Sequence, residues 1–308
     1  MTETAMVVIA PLFGLMVVGY VFGRLGLLEE AAGRALNQFV YFLALPSLIF
    51  TSLASLSPAA FFNWPFVGAL TGGMAATFLI VAVIARLGFR STLSASGVFG
   101  LGGMFSSTGY IGLPIVFLAF SEDAVGPGVF GAVVTGAVFL PLALTMLEYD
   151  RAEGGEERAL AVGLRALGTP VILACAAGLG ASAAALTVPS WLASLFGFLG
   201  DAFIPCALIA AGLTFARRSF NGRYEVVASL VVVKLVAHPS ITYVLAAFVF
   251  DLEGELLLLA VALAALPTGA PVFVLAQRYG VEEEGSAALI AFSTALSAAT
   301  LPIVFALL

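Results

Sequence analysis

An apolar stretch at residues 101–120 is long enough to cross a membrane, yet it contains residues that a continuous helix avoids. Four glycines remove the side chains that favour helical backbone, and Pro114 lacks an amide donor. Three hydroxyl side chains precede this proline. The glycines are Gly102, Gly103, Gly109 and Gly112, and the hydroxyl residues are Ser106, Ser107 and Thr108. We therefore expect the helix to be interrupted within this segment.

A second interrupted segment is predicted at residues 265–280, where Pro267 and Pro271 flank Thr268 and Gly269. Open backbone at membrane depth is tolerated only where protein buries it or where it lines a watery cavity. Two such segments, one in each half of a chain, are typical of secondary transporters, whose broken helices form the substrate site. The alternative is that these glycines only allow neighbouring helices to pack closely.

Composition supports an integral membrane protein, because 62% of the 308 residues are hydrophobic and only 10% are charged. A net charge of −6 without a basic tract argues against nucleic-acid binding. One histidine cannot form a histidine-rich metal site, so we expect neither a metal nor a cofactor. Cys175 and Cys206 lie in apolar segments and are interpreted as packing residues. Glu3 stands where a signal peptide carries basic residues, so the first apolar segment is expected to be retained.

The hydropathy pattern predicts an all-α membrane protein with ten spans of about 20 residues each. The predicted spans are residues 4–24, 34–54, 65–86, 93–120, 127–149, 161–186, 190–215, 226–250, 256–278 and 286–308. Eleven of the twelve Lys and Arg residues flank odd-numbered connections, and the even-numbered connections carry acidic residues instead. Because basic residues concentrate in cytoplasmic loops, both termini are predicted to lie outside the cytoplasm.

The fifth connection divides the chain into two halves of five spans each. We assign residues 1–150 to the first repeat, 151–165 to a cytoplasmic linker and 166–308 to the second repeat. An odd number of spans places the second repeat in inverted orientation. Pro46 and Pro205 are 159 residues apart, and Pro114 and Pro271 are 157 apart, which favours an internal duplication.

Several motifs resemble those of the auxin efflux carrier family, which includes bacterial permeases for malate, malonate and similar acids. The run SSTGYIGLPI at residues 106–115 and the run LPTGAPVFVLAQRYG at 266–280 are together fairly specific. Further similarity lies at residues 36–50, 199–215 and 232–239. The resemblance implies a fold similar to that of sodium/proton antiporters and bile-acid symporters, in which two broken helices cross in one subdomain and a scaffold subdomain supports a homodimer. Members often have Asn where this chain has Ser107, so a substrate contact at that position is not carried over unchanged.

The predicted substrate site is the region of the two breaks. Each half-helix that begins there has unpaired amides and the positive end of its dipole, which favour an anion. Backbone and hydroxyl donors are expected from Thr108, Gly109, Thr268 and Gly269. The alternative is that the two breaks satisfy each other or ordered water. The full set of candidate substrate-binding residues is Ser107, Thr108, Gly109, Tyr110, Pro114, Thr268, Gly269 and Pro271.

Two ionisable side chains lie within predicted spans, where a charge is costly and usually has a partner or a function. Asp201 is expected about 15 Å into span 7 and Lys234 about 12 Å into span 8, from the rise of about 1.5 Å per residue. They are candidates for pairing, for proton exchange or for balancing a substrate carboxylate. A static salt bridge is the structural alternative. His238 lies one turn beyond Lys234, as a proton relay or a structural hydrogen-bond partner.

Together these features predict a secondary or facilitative transporter for a small organic anion in the cell membrane, working by alternating access. The predicted partners are the anion, the lipid bilayer and a second copy of the chain, and coupling to protons, to sodium or to neither is left open. A rival reading is an intramembrane aspartyl protease, because Tyr149–Asp150 and Gly200–Asp201 form YD and GD pairs. Phe198 replaces the first glycine of a GxGD motif, so transport is preferred to this enzymatic function. A channel or sensor with a transporter fold is the third reading.

Overall fold

A computed structural model describes residues 2–55, 63–134, 138–139, 142–143, 146–147, 168, 170–216 and 224–307. The regular elements in these ranges are helices, and the sole β-type contact among them is one isolated bridge. Helices are expected for so apolar a chain, because in lipid each backbone amide and carbonyl must find its partner within the protein. The linker at 151–165 and the Tyr149–Asp150 pair lie outside the described residues.

Fifteen helices are assigned within the described ranges. They are α1 (Thr2–Arg24), α2 (Glu30–Phe39), α3 (Leu45–Ser55), α4 (Trp64–Val83), α5 (Leu93–Met104), α6 (Leu113–Ala119), α7 (Glu122–Val134), α8 (Pro170–Ala183), α9 (Ser190–Asp201), α10 (Phe203–Ala216), α11 (Tyr224–Val232), α12 (His238–Val244), α13 (Gly254–Ala265), α14 (Pro271–Tyr279) and α15 (Glu283–Leu307). Five π-helical turns extend or join them: Val40–Ala44, Ile84–Gly88, Thr108–Gly112, Val233–Ala237 and Leu245–Val249.

Five continuous helices are long and apolar enough to cross a membrane. They are Ala31–Ser55, Trp64–Gly88, Ser190–Ala216, Glu225–Val249 and Glu283–Leu307. These helices coincide with predicted spans 2, 3, 7, 8 and 10. Predicted spans 4 and 9 are each divided into two shorter helices, and much of spans 5 and 6 lies outside the described residues.

Helix α1 packs against α10 through direct backbone contact at two glycines. A side chain at Gly212 would overlap the carbonyl oxygen of Met16, and one at Gly19 would overlap the carbonyl oxygen of Ile209. Only glycine permits two helices to approach this closely. The contact fixes α1 against α10, and both helices contribute to the wall of the cavity described below.

A second group of helices surrounds the interrupted segments. Helix α4 contacts α12 where Gly73 meets Thr242, and it contacts α5 where Gly100 meets the ring of Phe78. The buried core here includes side chains of α4, α5 and α13, among them Met74, Leu101 and Leu263. This packing buries most of α5 and the second half of α13 within the protein.

Candidate functional site

The first interruption lies between α5 and the π-turn that leads into α6. Helix α5 ends at Met104, and Phe105 turns to an extended conformation with φ −70° and ψ 103°. Helical structure resumes at Thr108. The break is therefore confined to residues 105–107, whereas Pro114 lies in the first turn of α6 and does not cause it. Proline is well tolerated in a first turn, since its missing amide would lack a helical acceptor there.

The second interruption lies between α13 and α14. Helix α13 ends at Ala265, Leu266 adopts an extended conformation, and α14 begins at Pro271. Pro271 lies at the start of its helix, where its fixed φ favours helix initiation. The sequence therefore predicted both interruptions in the correct segments.

The two interruptions are hydrogen-bonded to each other. Ser106 and Thr268 form an antiparallel bridge. The amide of Ser107 donates to the carbonyl of Pro267 at 2.8 Å, and the amide of Gly269 donates to the carbonyl of Phe105 at 2.9 Å. The two breaks therefore satisfy some of each other's backbone hydrogen-bonding groups. This was one of the two alternatives that the sequence left open.

Thr268 is further anchored by its neighbours. Its Oγ1 donates to the carbonyl of Gly102 at 2.9 Å, and its amide donates to Oγ of Ser293 in α15 at 3.1 Å. A hydroxyl has one proton, so Thr268 can offer a ligand only its acceptor lone pairs. The donors of Thr268 and Gly269 are therefore used within the protein.

Lys234 joins both broken helices from one side. Its Nζ donates to Oγ of Ser106 at 2.9 Å and to the carbonyl of Ala264 at 2.7 Å. The side chain is fully buried. Ala264 lies in the last turn of α13, where the negative end of the helix dipole stabilises a cation. Lys234 thus places its side-chain nitrogen directly against both interrupted segments.

Other backbone donors at the breaks have no hydrogen-bond partner among the residues that the structure describes. Within the described residues, no acceptor is hydrogen-bonded to the amides of Thr108, Gly109, Tyr110 or Ala270. The first three open the helical stretch Thr108–Ala119, so they lie at the positive end of its dipole. A side chain at Gly109 would meet no atom within 4 Å, so space is open on the Cβ side of this residue. Such a helix end favours an anion.

A cavity of about 390 Å³ lies beside the interruptions. Ser107, Tyr110, Thr268 and Ala270 line it from the two breaks. The facing wall is formed by α1, α2 and its following π-turn, α10 and α15. A volume of this size lies within the range of small-molecule sites, about 300–1,000 Å³.

Asn37 and Tyr110 connect opposite walls of this cavity. The hydroxyl of Tyr110 donates to Oδ1 of Asn37 at 3.3 Å, which leaves the Asn37 amide nitrogen available as a donor. Gln38, Tyr41 and Thr294 also line the cavity. Asn37, Gln38, Tyr41 and Thr294 were not among the site residues predicted from the sequence. The signal that could have found them is the cluster of polar side chains at 37, 38 and 41 at the start of an otherwise apolar span.

The structure separates the predicted substrate residues into three groups. Ser107, Tyr110 and Thr268 line the cavity, and Thr108 and Gly109 adjoin it in the chain. Gly269 packs against the ring of Phe105, while Pro114 and Pro271 shape their helices.

Gly102 and Gly103 meet Leu289 and Val81, so for these two glycines the close-packing interpretation holds.

The predicted charged residues are not brought together. Asp201 is exposed at the end of α9 and is not among the hydrogen-bond partners of Lys234. His238 is fully buried, with Nδ1 3.0 Å from Oγ1 of Thr77. If Thr77 donates its hydroxyl proton to the carbonyl of Gly73, which lies 2.8 Å away, Nδ1 is the protonated ring nitrogen in this bond. Nε2 then carries a lone pair, and it has no partner within the described residues.

Comparisons with known proteins agree with the helical architecture. The sequence matches the family described as membrane transport protein over residues 4–305. It is 31% identical over 300 residues to the Rhizobium meliloti (strain 1021) protein named "Putative malonate transporter", covering 95% of this chain and 92% of that protein. It is 28% identical over 312 residues to an uncharacterized transporter of Methanothermobacter thermautotrophicus, covering 98% and 96%. Identity to the uncharacterized transporter YfdV of Escherichia coli (strain K12) is 24% over 310 residues, covering 95% and 94%.

Proposed function

This chain belongs to the membrane transport protein family, the auxin efflux carrier family that its motifs resemble, and we propose that it carries small organic anions across the membrane by alternating access. The observation that carries the proposal is the cavity of about 390 Å³ beside two hydrogen-bonded helix interruptions. Unpaired amides at one helix start supply the donors that a carboxylate needs. The malonate named for one relative belongs to the same chemical class.

In this proposal the substrate carboxylate accepts hydrogen bonds from the amides of Thr108, Gly109 and Tyr110. The hydroxyl of Ser107 and the amide nitrogen of Asn37 are further donors in the cavity wall. The positive end of the Thr108–Ala119 dipole stabilises the negative charge. Thr268 acts mainly as an anchor between the two breaks, since its own donors are used within the protein.

Lys234 acts as the counter-charge. Its ammonium is bonded to Ser106, the chain neighbour of the cavity-lining Ser107, and would therefore lie near an anion bound in the cavity. A buried ammonium is costly without a negative partner, and a bound carboxylate reduces this cost by Coulomb attraction in a low dielectric. Substrate binding and the positive charge of Lys234 then favour each other.

The proposed architecture is ten spans arranged as two inverted repeats of five, in a cell membrane, with both termini outside the cytoplasm. The five long helices and the two divided spans support it. The unit that contains α5, α6, α13, α14 and Lys234 is held together by hydrogen bonds between the breaks, so we propose that it moves as one body. The unit that contains α1 and α10 is held by the Gly19–Gly212 contact and serves as the scaffold and the site of dimerisation.

Coupling to protons is proposed through two groups. The Nε2 lone pair of His238 is a buried proton acceptor without a partner among the described residues, four positions from Lys234. Asp201 is exposed and would exchange protons independently of Lys234. Sodium coupling is the alternative. Transport measured with separate pH and sodium gradients distinguishes the two.

Two other functions are less well supported. An intramembrane aspartyl protease needs two carboxylates sharing one site within the membrane. Asp201 is exposed at a helix end and no second acidic residue of the described ranges faces it in a hydrogen bond, so the geometry offers no such pair. A channel would conduct without saturation, whereas a cavity enclosed by two sets of helices favours a carrier.

The test is uptake by purified protein in proteoliposomes. Labelled monocarboxylates and dicarboxylates are supplied with and without a pH gradient, and with and without a sodium gradient. Saturable uptake that is exchanged by unlabelled substrate supports a carrier. Unsaturable flux supports a channel, and no flux of any carboxylate contradicts the proposal. Uptake by Asp201→Asn that is unchanged across pH removes Asp201 from the coupling mechanism.

A further inference from the structure

Two threonines of long helices line the cavity, and their hydroxyls are used differently. Thr214 in α10 donates its hydroxyl proton to the carbonyl of Ala210 at 2.9 Å. Thr294 in α15 is buried, with 6% of its surface exposed, yet its hydroxyl has no hydrogen-bond partner among the residues that the structure describes. The cavity wall therefore contains one threonine hydroxyl that is already bonded and one that is free.

A helical threonine ordinarily bonds its hydroxyl to the carbonyl four positions earlier. Four further threonines of this chain make that bond, at distances of 2.6–3.0 Å: Thr51, Thr71, Thr77 and Thr242. The corresponding carbonyl for Thr294 is that of Ile290, and it accepts from the hydroxyl of Ser293 at 3.2 Å instead. The hydroxyl of Thr294 is thus left without the local acceptor that these other threonines use.

The open side of Thr294 is the cavity. Within the described part of the chain, two polar side-chain atoms are both enclosed by protein and unpaired, Nε2 of His238 and Oγ1 of Thr300. Oγ1 of Thr294 is unpaired but not enclosed in this way, and the space that Thr294 lines is the cavity. A residue buried over most of its surface therefore presents a free hydroxyl to a bound molecule.

Thr294 lies beside the second interruption. The carbonyl of Pro267 accepts from the amide of Ser107 at 2.8 Å, and the amide of the same peptide group, that of Thr268, donates to Oγ of Ser293 at 3.1 Å. With the dimensions of a peptide group, the two partner atoms are at most about 8 Å apart. Ser107 and the residue that precedes Thr294 therefore flank one peptide group of the break.

A free hydroxyl in a cavity wall discriminates between bound molecules. In the empty cavity, water can bond to it. A ligand that displaces this water with an alkyl group leaves the hydroxyl unpaired, whereas a ligand oxygen at the same place restores the bond. A site that hydrogen-bonds a substrate hydroxyl rejects the analogue that lacks it, because the polar group of the site then stays unsatisfied.

From these contacts we infer that Thr294 is a specificity-determining residue, whose hydroxyl binds an oxygen on the chain of the substrate at a distance from its carboxylate. The substrates it favours are small carboxylic acids that carry a hydroxyl or oxo group, in preference to acids with a plain alkyl chain. This inference rests on the proposed function and specifies which side chain recognises the body of the substrate.

Four acids of equal chain length test the inference. Pentanoate has a plain alkyl chain, and 2-, 3- and 4-hydroxypentanoate place one hydroxyl at successive distances from the carboxylate. Purified full-length protein is titrated with each acid at pH 7, and binding is measured by calorimetry. We expect at least one hydroxy acid to bind about tenfold more tightly than pentanoate. In Thr294→Val this advantage should be lost, while the affinity for pentanoate stays the same or rises.

Two variants serve as controls for binding. Thr294→Ser keeps the hydroxyl and is expected to keep the preference for the hydroxy acid. Thr214→Val also removes a cavity threonine hydroxyl, but one that is already bonded to the carbonyl of Ala210, so we expect the preference to change less than twofold. The thermal unfolding temperature of ligand-free Thr294→Val should equal or exceed that of the unmodified protein, because no hydrogen bond within the described protein is lost.

The outcomes separate the inference from the proposed function. The inference is wrong, while the carrier stands, if pentanoate binds as tightly as every hydroxy acid or if Thr294→Val keeps the preference. Equal effects of Thr294→Val and Thr214→Val would also overturn it, as would a large loss of stability in ligand-free Thr294→Val. If none of the four acids binds, the inference is again overturned, and uptake of other labelled carboxylates decides separately whether the carrier function stands.

Discussion

Nζ of Lys234 lies 2.9 Å from Oγ of Ser106, although the two residues are 128 positions apart in the chain. The same ammonium donates to the carbonyl of Ala264. One side chain of span 8 therefore bonds to the break of span 4 and to the last turn before the break of span 9. This relationship gives Lys234 two separable roles, as a structural link and as a counter-charge.

Replacing Lys234 with methionine distinguishes these roles. The variant loses two hydrogen bonds from a charged donor, each worth about 1.5–3 kcal/mol, but it also removes the cost of burying an ammonium, which is several kcal/mol. These effects offset each other, so we expect the thermal unfolding temperature to change by only a few degrees. Uptake of labelled carboxylate should fall at least about tenfold, which corresponds to a loss of about 1.4 kcal/mol of attraction between Lys234 and the bound anion.

The opposite pattern would contradict a functional role for this lysine. A large loss of stability with unchanged transport per folded molecule would show that Lys234 is a structural link only. Leu230→Met in the same span is a matched apolar control, because Leu230 is buried and does not contact the breaks through a hydrogen bond. We expect it to retain uptake.

The hydroxyl of Thr268 is predicted to stabilise the paired breaks. Thr268→Val keeps the shape of the side chain but removes the bond to the carbonyl of Gly102, leaving a buried acceptor unsatisfied. We expect a loss of about 1–3 kcal/mol in the free energy of unfolding. Thr300→Val is the matched control, because the buried Thr300 hydroxyl has no partner among the described residues. This second variant should be neutral or stabilising in chemical or thermal unfolding, and equal losses in both variants would contradict the assigned role of the Thr268 bond.

The segments that interrupt the helices could be predicted from sequence because their chemistry is local. Pro267 lacks the amide donor that a continuous helix uses, and the hydroxyls of Ser106 and Ser107 can replace helical hydrogen bonds to the nearby backbone. The partners of Lys234 could not be predicted in the same way. One is a main-chain carbonyl, which every residue has, and the other is a serine more than a hundred positions away.

The cavity wall was harder still to predict. Asn37 and Gln38 resemble capping residues at the start of a span, and only the packing of α2 beside the breaks makes them line a cavity. The glycines were ambiguous for a similar reason. Gly102 and Gly109 have the same side chain, but the first meets Leu289 and the second meets open space, and this difference depends on neighbours distant in sequence.

Open space at Gly109 leads to a prediction about substrate affinity. Gly109→Ala adds a methyl group that meets no protein atom within 4 Å, so we expect the variant to fold normally. The methyl group would occupy the approach to the amides of Thr108–Tyr110 and lower the affinity for carboxylates severalfold. Gly180→Ala in α8 is the control, since it too meets no atom within 4 Å but lies outside the cavity. Binding by Gly109→Ala at the affinity of the control would exclude these amides as the anion site.

Tyr110 and Asn37 give a test of the link between the cavity walls. Tyr110→Phe removes the hydrogen bond of 3.3 Å to Oδ1 of Asn37 and leaves the ring in place. The Asn37 amide then loses its fixed orientation, and we expect the apparent KM for uptake to rise severalfold with a smaller change in maximal rate. Tyr41→Phe removes a cavity hydroxyl for which the described residues provide no partner, and its KM should change less. An equal change in both variants would indicate a general loss of polarity rather than loss of this bond.

Glu255 and Ser121 join the outer ends of the two broken spans. The Glu255 carboxylate accepts from the amide of Ser121 at 2.7 Å and from its hydroxyl at 2.6 Å. Glu255 lies in the first turn of α13, and Ser121 follows α6, so this pair connects the start of α13 to the end of α6. We expect Glu255→Gln to weaken both bonds, since an amide oxygen is a poorer acceptor than a carboxylate and one oxygen is lost. If the two broken spans move as one body, uptake should slow severalfold without a change in ligand affinity.

Glu253→Gln removes an exposed charge two residues earlier and is expected to leave the rate unchanged. Unchanged uptake by Glu255→Gln would mean that the hydrogen bonds between the breaks suffice to hold the two spans together.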